Sequence, residues 1–302
     1  MTSLTSLLGS YTFQIVALGS ALLGVVSGVL GSFAVLRKQS LLGDGVSHAA
    51  LPGVVIAFLL TGSKNTEILL LGALITGLLS TLIMVIIVKN SRVKFDSALA
   101  MTLAVFFGLG LVLLNYSQKL PNASQAGLNR FIYGQASTIL KRDVIFMFIC
   151  GIILLSIVAL FWKEFKLLSF DPDYAYTLGY NTNRLNLFLS FLIVIASIIG
   201  IQTVGVILMS ALLVAPAVAA RQWSNRLGIM VLLASFFGAL SGVVGTLISS
   251  SVSTLPTGPV IAVCITAIAL FSILFAPGRG LLHRLWQNHK NRINFDLQRK
   301  KT

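Results

Sequence analysis

From Leu185 to Ala220 the chain runs 36 residues without a charged side chain, and residues 1–36 are uncharged as well. A helix rises about 1.5 Å per residue and the hydrocarbon core of a bilayer is about 30 Å thick, so roughly 20 apolar residues suffice for one crossing. Stretches of that kind recur along the whole length, and with 56% hydrophobic and only 10% charged residues the composition excludes a soluble or disordered chain. The stretches are continuously apolar and rich in Gly, Leu and Ile, whereas the strands of a membrane barrel alternate apolar and polar residues. The expected fold is all-α, a polytopic transmembrane helical bundle.

Hydropathy read against charge predicts spans near 12–36, 45–62, 68–88, 97–118, 144–162, 227–250 and 255–276, together with the run 185–220. That run is too long for one crossing and short for two full ones. Charge decides between them. With the N-terminus outside and the run crossing twice, 17 of the 22 Lys and Arg residues fall on the cytoplasmic side, leaving Lys64, Lys119, Arg130, Lys141 and Arg142 outside. A single crossing would give eight spans and export the seven basic residues of the tail. The reading is therefore about nine spans, N-terminus outside and C-terminus cytoplasmic, with two short helices meeting near Gly200, Gln202 and Gly205. The net charge of +14 reports this topology and not a nucleic-acid partner. Residues 1–278 form the expected transmembrane domain and 279–302 a basic cytoplasmic tail, in which His283 and His289 are solvated.

The uncharged leading segment lacks the basic start of a cleaved signal peptide and reads as a retained first span. Cys150 and Cys264 lie inside apolar stretches and behave as small apolar residues. Asp96 and Asp143 stand where helices begin, placed to cap free backbone N–H groups. The polar segment 117–142 is an external excursion, with 128–134 a candidate half-helix, and Asn122–Ser124 fits a glycosylation pattern too short to weigh.

Three segments carry chemical information. In Gly43-Asp44-Gly45-Val46-Ser47-His48-Ala49-Ala50-Leu51-Pro52-Gly53 the carboxylate and the imidazole are four residues apart, so a helix sets both on one face, able to touch one ion. Pro52 has no N–H to offer the His48 carbonyl. The competing structural reading is that Asp44 caps the helix and His48 bonds a neighbour. Carboxylate plus imidazole suits divalent Mn, Fe or Zn, but two ligands do not close a site. A symmetric dimer would double them on its axis and hold an ion only briefly, as a transport path requires. In the second segment, 169–181, Asp171 can cap, Pro172 fits the first helical position, Asp173 favours the positive helix end and Gly179 ends the turn. It reads as a short cytoplasmic surface helix, either a connector or a docking knob for a soluble partner. The third, 202–221, is dense in small residues that let helices approach closely, a packing role. No nucleotide-binding P-loop, zinc-protease or hydrolase motif occurs, so no site for ATP hydrolysis is expected on this chain.

Together these segments resemble the membrane permease family of bacterial ABC importers for manganese, zinc and iron, over residues 15–278. The marks are Gly-Asp-x-x-Ser-His-x-x-Leu-Pro-Gly at 43–53, Gly-Val-x-Leu-x-Ser-Ala-Leu-Leu-Val-x-Pro-Ala at 205–217 and Asp-x-Asp-x-Ala-x-x-Leu-Gly at 171–179. The resemblance implies a type II importer-like permease in the bacterial plasma membrane and a homodimer of such chains. It further implies two separate cytoplasmic ATPase subunits, an extracellular metal-binding protein, and a transported divalent cation in place of any resident cofactor. By the same matching Asp44 and His48 take the metal-contacting positions, and Asp171, Pro172, Asp173, Tyr174, Ala175, Leu178 and Gly179 form the helix that couples to the ATPase. Two alternatives stay open. A permease for siderophores or vitamins shares the architecture but does not need the Asp44 and His48 pair. An ion-driven carrier would need charge within the spans, and there is almost none.

Overall fold

The computed structural model describes residues 10–62, 65–119, 140–252, 255–277, 280–283 and 287. Twelve helices are defined among them: α1 (Tyr11–Leu36), α2 (Leu42–Ala49), α3 (Leu51–Thr61), α4 (Thr66–Asn90), α5 (Phe95–Gln118), α6 (Lys141–Leu160), α7 (Trp162–Phe170), α8 (Pro172–Thr177), α9 (Thr182–Val204), α10 (Val206–Trp223), α11 (Leu227–Ser251) and α12 (Thr257–Phe275). Among the described residues eight segments are long and apolar enough to cross a membrane, α2 and α3 together making one of them, and α10 adds an apolar helix that includes Leu208–Trp223. The expected external half-helix and the Asn122–Ser124 pattern fall outside the described residues, as does His289.

The interior is built where backbones touch. An added Cβ at Gly24 of α1 would run into the backbone of Gly238 on α11. One at Gly28 would lie 2.6 Å from the Ala234 carbonyl oxygen, and one at Gly242 2.8 Å from the Ser20 backbone. Residues 20, 24 and 28 are one face of α1, and 234, 238 and 242 one face of α11, so a seam of small residues joins the two helices for two full turns. Lipid tails are as apolar as leucine, so close van der Waals contact along such a seam, not exclusion from water, holds the pair. Gly53 and Gly72 make the corresponding crossing between α3 and α4.

The uncharged run resolves into two helices that turn back on each other. Gly205 separates α9 from α10 with φ +83° and ψ 170°, a conformation open to glycine and strained for any side chain. A Cβ placed on Gly43 would meet both Ser197, eight residues before Gly205, and Leu213, eight after Gly205. A straight helix would hold those two residues about 24 Å apart. The hairpin expected near Gly200 and Gly205 is thus present, with its turn at Gly205.

Several local expectations need correction. The second span is not one helix: it breaks at Ala50, and Pro52 enters the first turn of α3, where a missing N–H costs nothing. Asp143 does act at its helix start, its Oδ2 accepting from the Leu140 N–H at 3.0 Å. Asp96 does not cap, since Lys94 holds the N-cap position of α5 and Asp96 lies in the first turn, where only its charge helps. Arg142 pairs with Glu67, which joins the starting ends of α4 and α6 and gives a partner to one of the basic residues assigned outside. His283 is paired too, its Nε2 lying 2.8 Å from Gln287 Nε2. Both cysteines are free thiols.

An additional helix, α7, follows α6, the fifth of these segments. Its Trp162 and Phe165 pack edge-on against Phe33 of α1 at 5.8 and 6.0 Å between centroids, and Phe161 and Phe165 pack against Phe188 of α9 at 5.3 and 6.0 Å. Beside these rings Arg37, just past the end of α1, donates to Asn186 Oδ1 of α9. Burial lowers the Arg37 guanidinium from its usual value to about 10, which leaves it charged at neutral pH.

Candidate metal-contacting pair and docking helix

Asp44 lies in the first turn of α2 and His48 one turn later, so helical spacing alone brings them together, with His48 Nε2 3.8 Å from Asp44 Oδ1. One ion with bonds of about 2.1 Å at a tetrahedral angle would hold two ligand atoms roughly 3.4 Å apart, so the separation is within a small side-chain adjustment of shared coordination. The pair is neither sealed nor fully open, with 32% of the His48 side chain and 44% of the Asp44 side chain exposed. The face of the His48 ring is set by Phe107 of α5, edge-on at 5.0 Å. Among the described residues no group of three or more His, Cys, Asp or Glu side chains gathers to hold a metal. The pair therefore offers partial coordination, suited to contact in passing and not to storage.

The cap role for Asp44 finds no support in the geometry: Leu41 is the N-cap of α2, and the carboxylate is engaged from another helix. Ser210 of α10 donates its hydroxyl to Asp44 Oδ1 at 2.9 Å. Sequence reasoning had placed Ser210 in a segment assigned to packing. The signal was there, a hydroxyl among small apolar residues, but its partner stands 166 positions away. The broken span has a helper of the same kind, Thr76 of α4, whose hydroxyl reaches the Ala50 carbonyl at 3.4 Å.

The helix α8 forms as its residues dictate. Asp171 Oδ1 accepts from the Tyr174 N–H at 2.9 Å, and Pro172 occupies the first turn. The Tyr180 N–H reaches back to the Ala175 carbonyl and the Gly179 N–H to that of Tyr176, a Schellman closure with Gly179 at φ +87°. Ala175 is fully buried beneath it, whereas Tyr174, Tyr176 and Leu178 are exposed, and Asp173 points its charge at the helix start. Tyr174 and Tyr176 on this six-residue helix, with Leu178 at its C-cap, form an exposed apolar and aromatic surface.

The fold defines a polytopic helical membrane protein, with a carboxylate–imidazole pair between its spans. The chain belongs to the ABC 3 transport family, whose model matches residues 10–276. It is similar to the zinc transport system membrane protein TroC of Treponema pallidum, 51% identical over 290 residues that cover 96% of this chain and 97% of the relative. It is similar as well to the manganese transport system membrane protein MntC of Bacillus subtilis, 47% identical over 268 residues, or 89% of this chain and 62% of that longer protein. Among solved structures it matches PsaBC from Streptococcus pneumoniae in complex with Fab, with a TM-score of 0.78 and 30% identity over 91% of this chain and 95% of the other.

Proposed function

We infer that the chain is the membrane permease subunit of an ABC importer that moves a divalent metal cation, manganese, zinc or iron, into the cell. The observation that carries this reading is the Asp44 and His48 pair, the carboxylate and imidazole facing each other at 3.8 Å in a bundle whose spans hold almost no other charge. A carboxylate in this setting is costly unless it serves a path, and the oxygen and nitrogen donors suit borderline cations. The similarity to relatives named for zinc and manganese transport supports the same cargo. Transport is the whole of this chain's task, with ATP hydrolysis left to two cytoplasmic ATPase subunits that receive α8 through Tyr174, Tyr176 and Leu178. An extracellular metal-binding protein delivers the ion. Two permease chains related by a two-fold axis bring their Asp44 and His48 pairs to one path. The N-terminus faces outward, residues 1–278 span the plasma membrane, and 279–302 extend into the cytoplasm.

The test is complementation of a cell that lacks its own metal importer. Asp44→Ala and His48→Ala are each expected to cut metal uptake by at least about tenfold, with normal amounts of chain in the membrane. Restoration of growth in metal-depleted medium by both variants would refute the assignment.

A further inference from the structure

Ser210 stands five residues beyond Gly205, on the arm of the hairpin that returns past α2. That arm is pressed closely onto its neighbours: Gly31 of α1 admits the Leu213 backbone, and Gly43 of α2 admits the Leu213 side chain. Most hydroxyls in the bundle turn back to their own helices, as Ser32 does to Gly28, Ser47 to Gly43 and Thr102 to Ala98. The Ser210 hydroxyl crosses to a carboxylate on another helix, and it meets the oxygen, Oδ1, that faces His48 Nε2. Three donor atoms from two helices therefore converge, one anionic oxygen, one imidazole nitrogen and one neutral oxygen.

We propose that Ser210 is a positioning and specificity-determining residue for metal passage, holding Asp44 Oδ1 toward His48 and adding a hydroxyl oxygen beside the pair. The proposal rests on the reading of Asp44 and His48 given above. Manganese takes more oxygen ligands than zinc, which is satisfied by few ligands and tolerates softer ones. The Ser210 oxygen accordingly favours manganese, and a thiol in its place favours zinc.

The experiment measures initial uptake of Mn2+ and of Zn2+, each supplied alone, by importer-null cells carrying the parent, Ser210→Ala, Ser210→Thr, Ser210→Cys or Asp44→Ala, with the amount of chain in the membrane measured alongside. Ser210→Ala is expected to lower Mn2+ uptake by about tenfold, the scale of one hydrogen bond to a charged group, and to lower Zn2+ uptake less. Ser210→Thr keeps the hydroxyl and the parent's ratio of the two ions; Ser210→Cys shifts the ratio further toward Zn2+. A parent-like ratio and rate in Ser210→Ala overturns the proposal, and so does equal damage by Ala and Thr, which marks a packing role. Where the Ala variant fails to reach the membrane, Thr against Cys decides by the ratio alone. Full uptake by Asp44→Ala removes the pair and Ser210 with it, whereas an inactive Asp44→Ala beside a parent-like Ser210→Ala removes Ser210 only.

Discussion

The spans α1 and α6 are both continuously apolar, yet 72% of the apolar window of α1 is buried within the chain and only 22% of that of α6. The exposed helix is the more apolar of the two, the reverse of the order a water-soluble protein shows. On its exposed side α6 carries Ile145, Phe146, Phe148, Ile149, Ile152 and Ile153, while α1 turns Ser20, Gly24, Ser27, Gly28 and Ser32 inward. The lesson is that small residues decide where two backbones come close, while large apolar side chains serve the interior and the exposed surface alike. Ser20, Gly24 and Gly28 mark the seam where the α11 backbone approaches, and Leu23, Leu30 and Phe33 fill the interior beyond it.

Glycine-to-alanine changes give the cleanest break of that contrast, because one methyl is added to each region. The largest effect is expected at Gly24, where the methyl meets the α11 backbone, which cannot step aside as a side chain can. Gly24→Ala should lose about 2 kcal/mol of stability, read as a lower thermal midpoint of the purified chain in detergent. Next is Gly108 of α5, where an added Cβ has nothing within 4 Å. There the gain in helix propensity should dominate, raising stability by about 0.5–1 kcal/mol in the same assay. The smallest effect is expected at Gly151 of α6, where the methyl meets the end of the Val26 side chain at 3.1 Å. Its modest crowding and its propensity gain should nearly cancel, leaving a change within about 0.5 kcal/mol. A stable Gly24→Ala, or a destabilised Gly108→Ala, would show that the seam is not what separates the two classes of helix.

Much of the architecture was legible in the residues. Spans and their ends follow from charge, because a Lys or Arg at the end of an apolar run is expensive to bury; Tyr11–Leu36 and Leu227–Ser251 lie within a residue of expectation. The approach of Asp44 to His48 and the caps of α8 are local, set by spacing within one or two turns. What escaped notice depends on the fold. Ser210 becomes a partner of Asp44 only because Gly205 folds α10 back past α2. Helix α7 was hidden because Lys163, Glu164 and Lys166 interrupt its hydropathy, although its aromatic residues pack against α1 and α9. Arg37, counted as a loop charge for topology, is drawn into that packing and bonded to Asn186. The inward and outward faces of the spans were not distinguished either, since hydropathy registers lipid and protein interior alike.

The shortness of α10 bears on how a charge can cross at all. The helix Val206–Trp223 has 18 residues, and with Arg221 in its last turn its uncharged part, 206–220, is 15 residues, about 22 Å against a hydrocarbon thickness of about 30 Å. Ser210, and the Asp44 carboxylate that it meets, lie toward the Gly205 end of this short helix. In the transport proposed above, an ion that meets Asp44 beside this short helix would exchange its water for protein oxygens over a path shorter than the full hydrocarbon thickness, which would lower the Born penalty of its crossing.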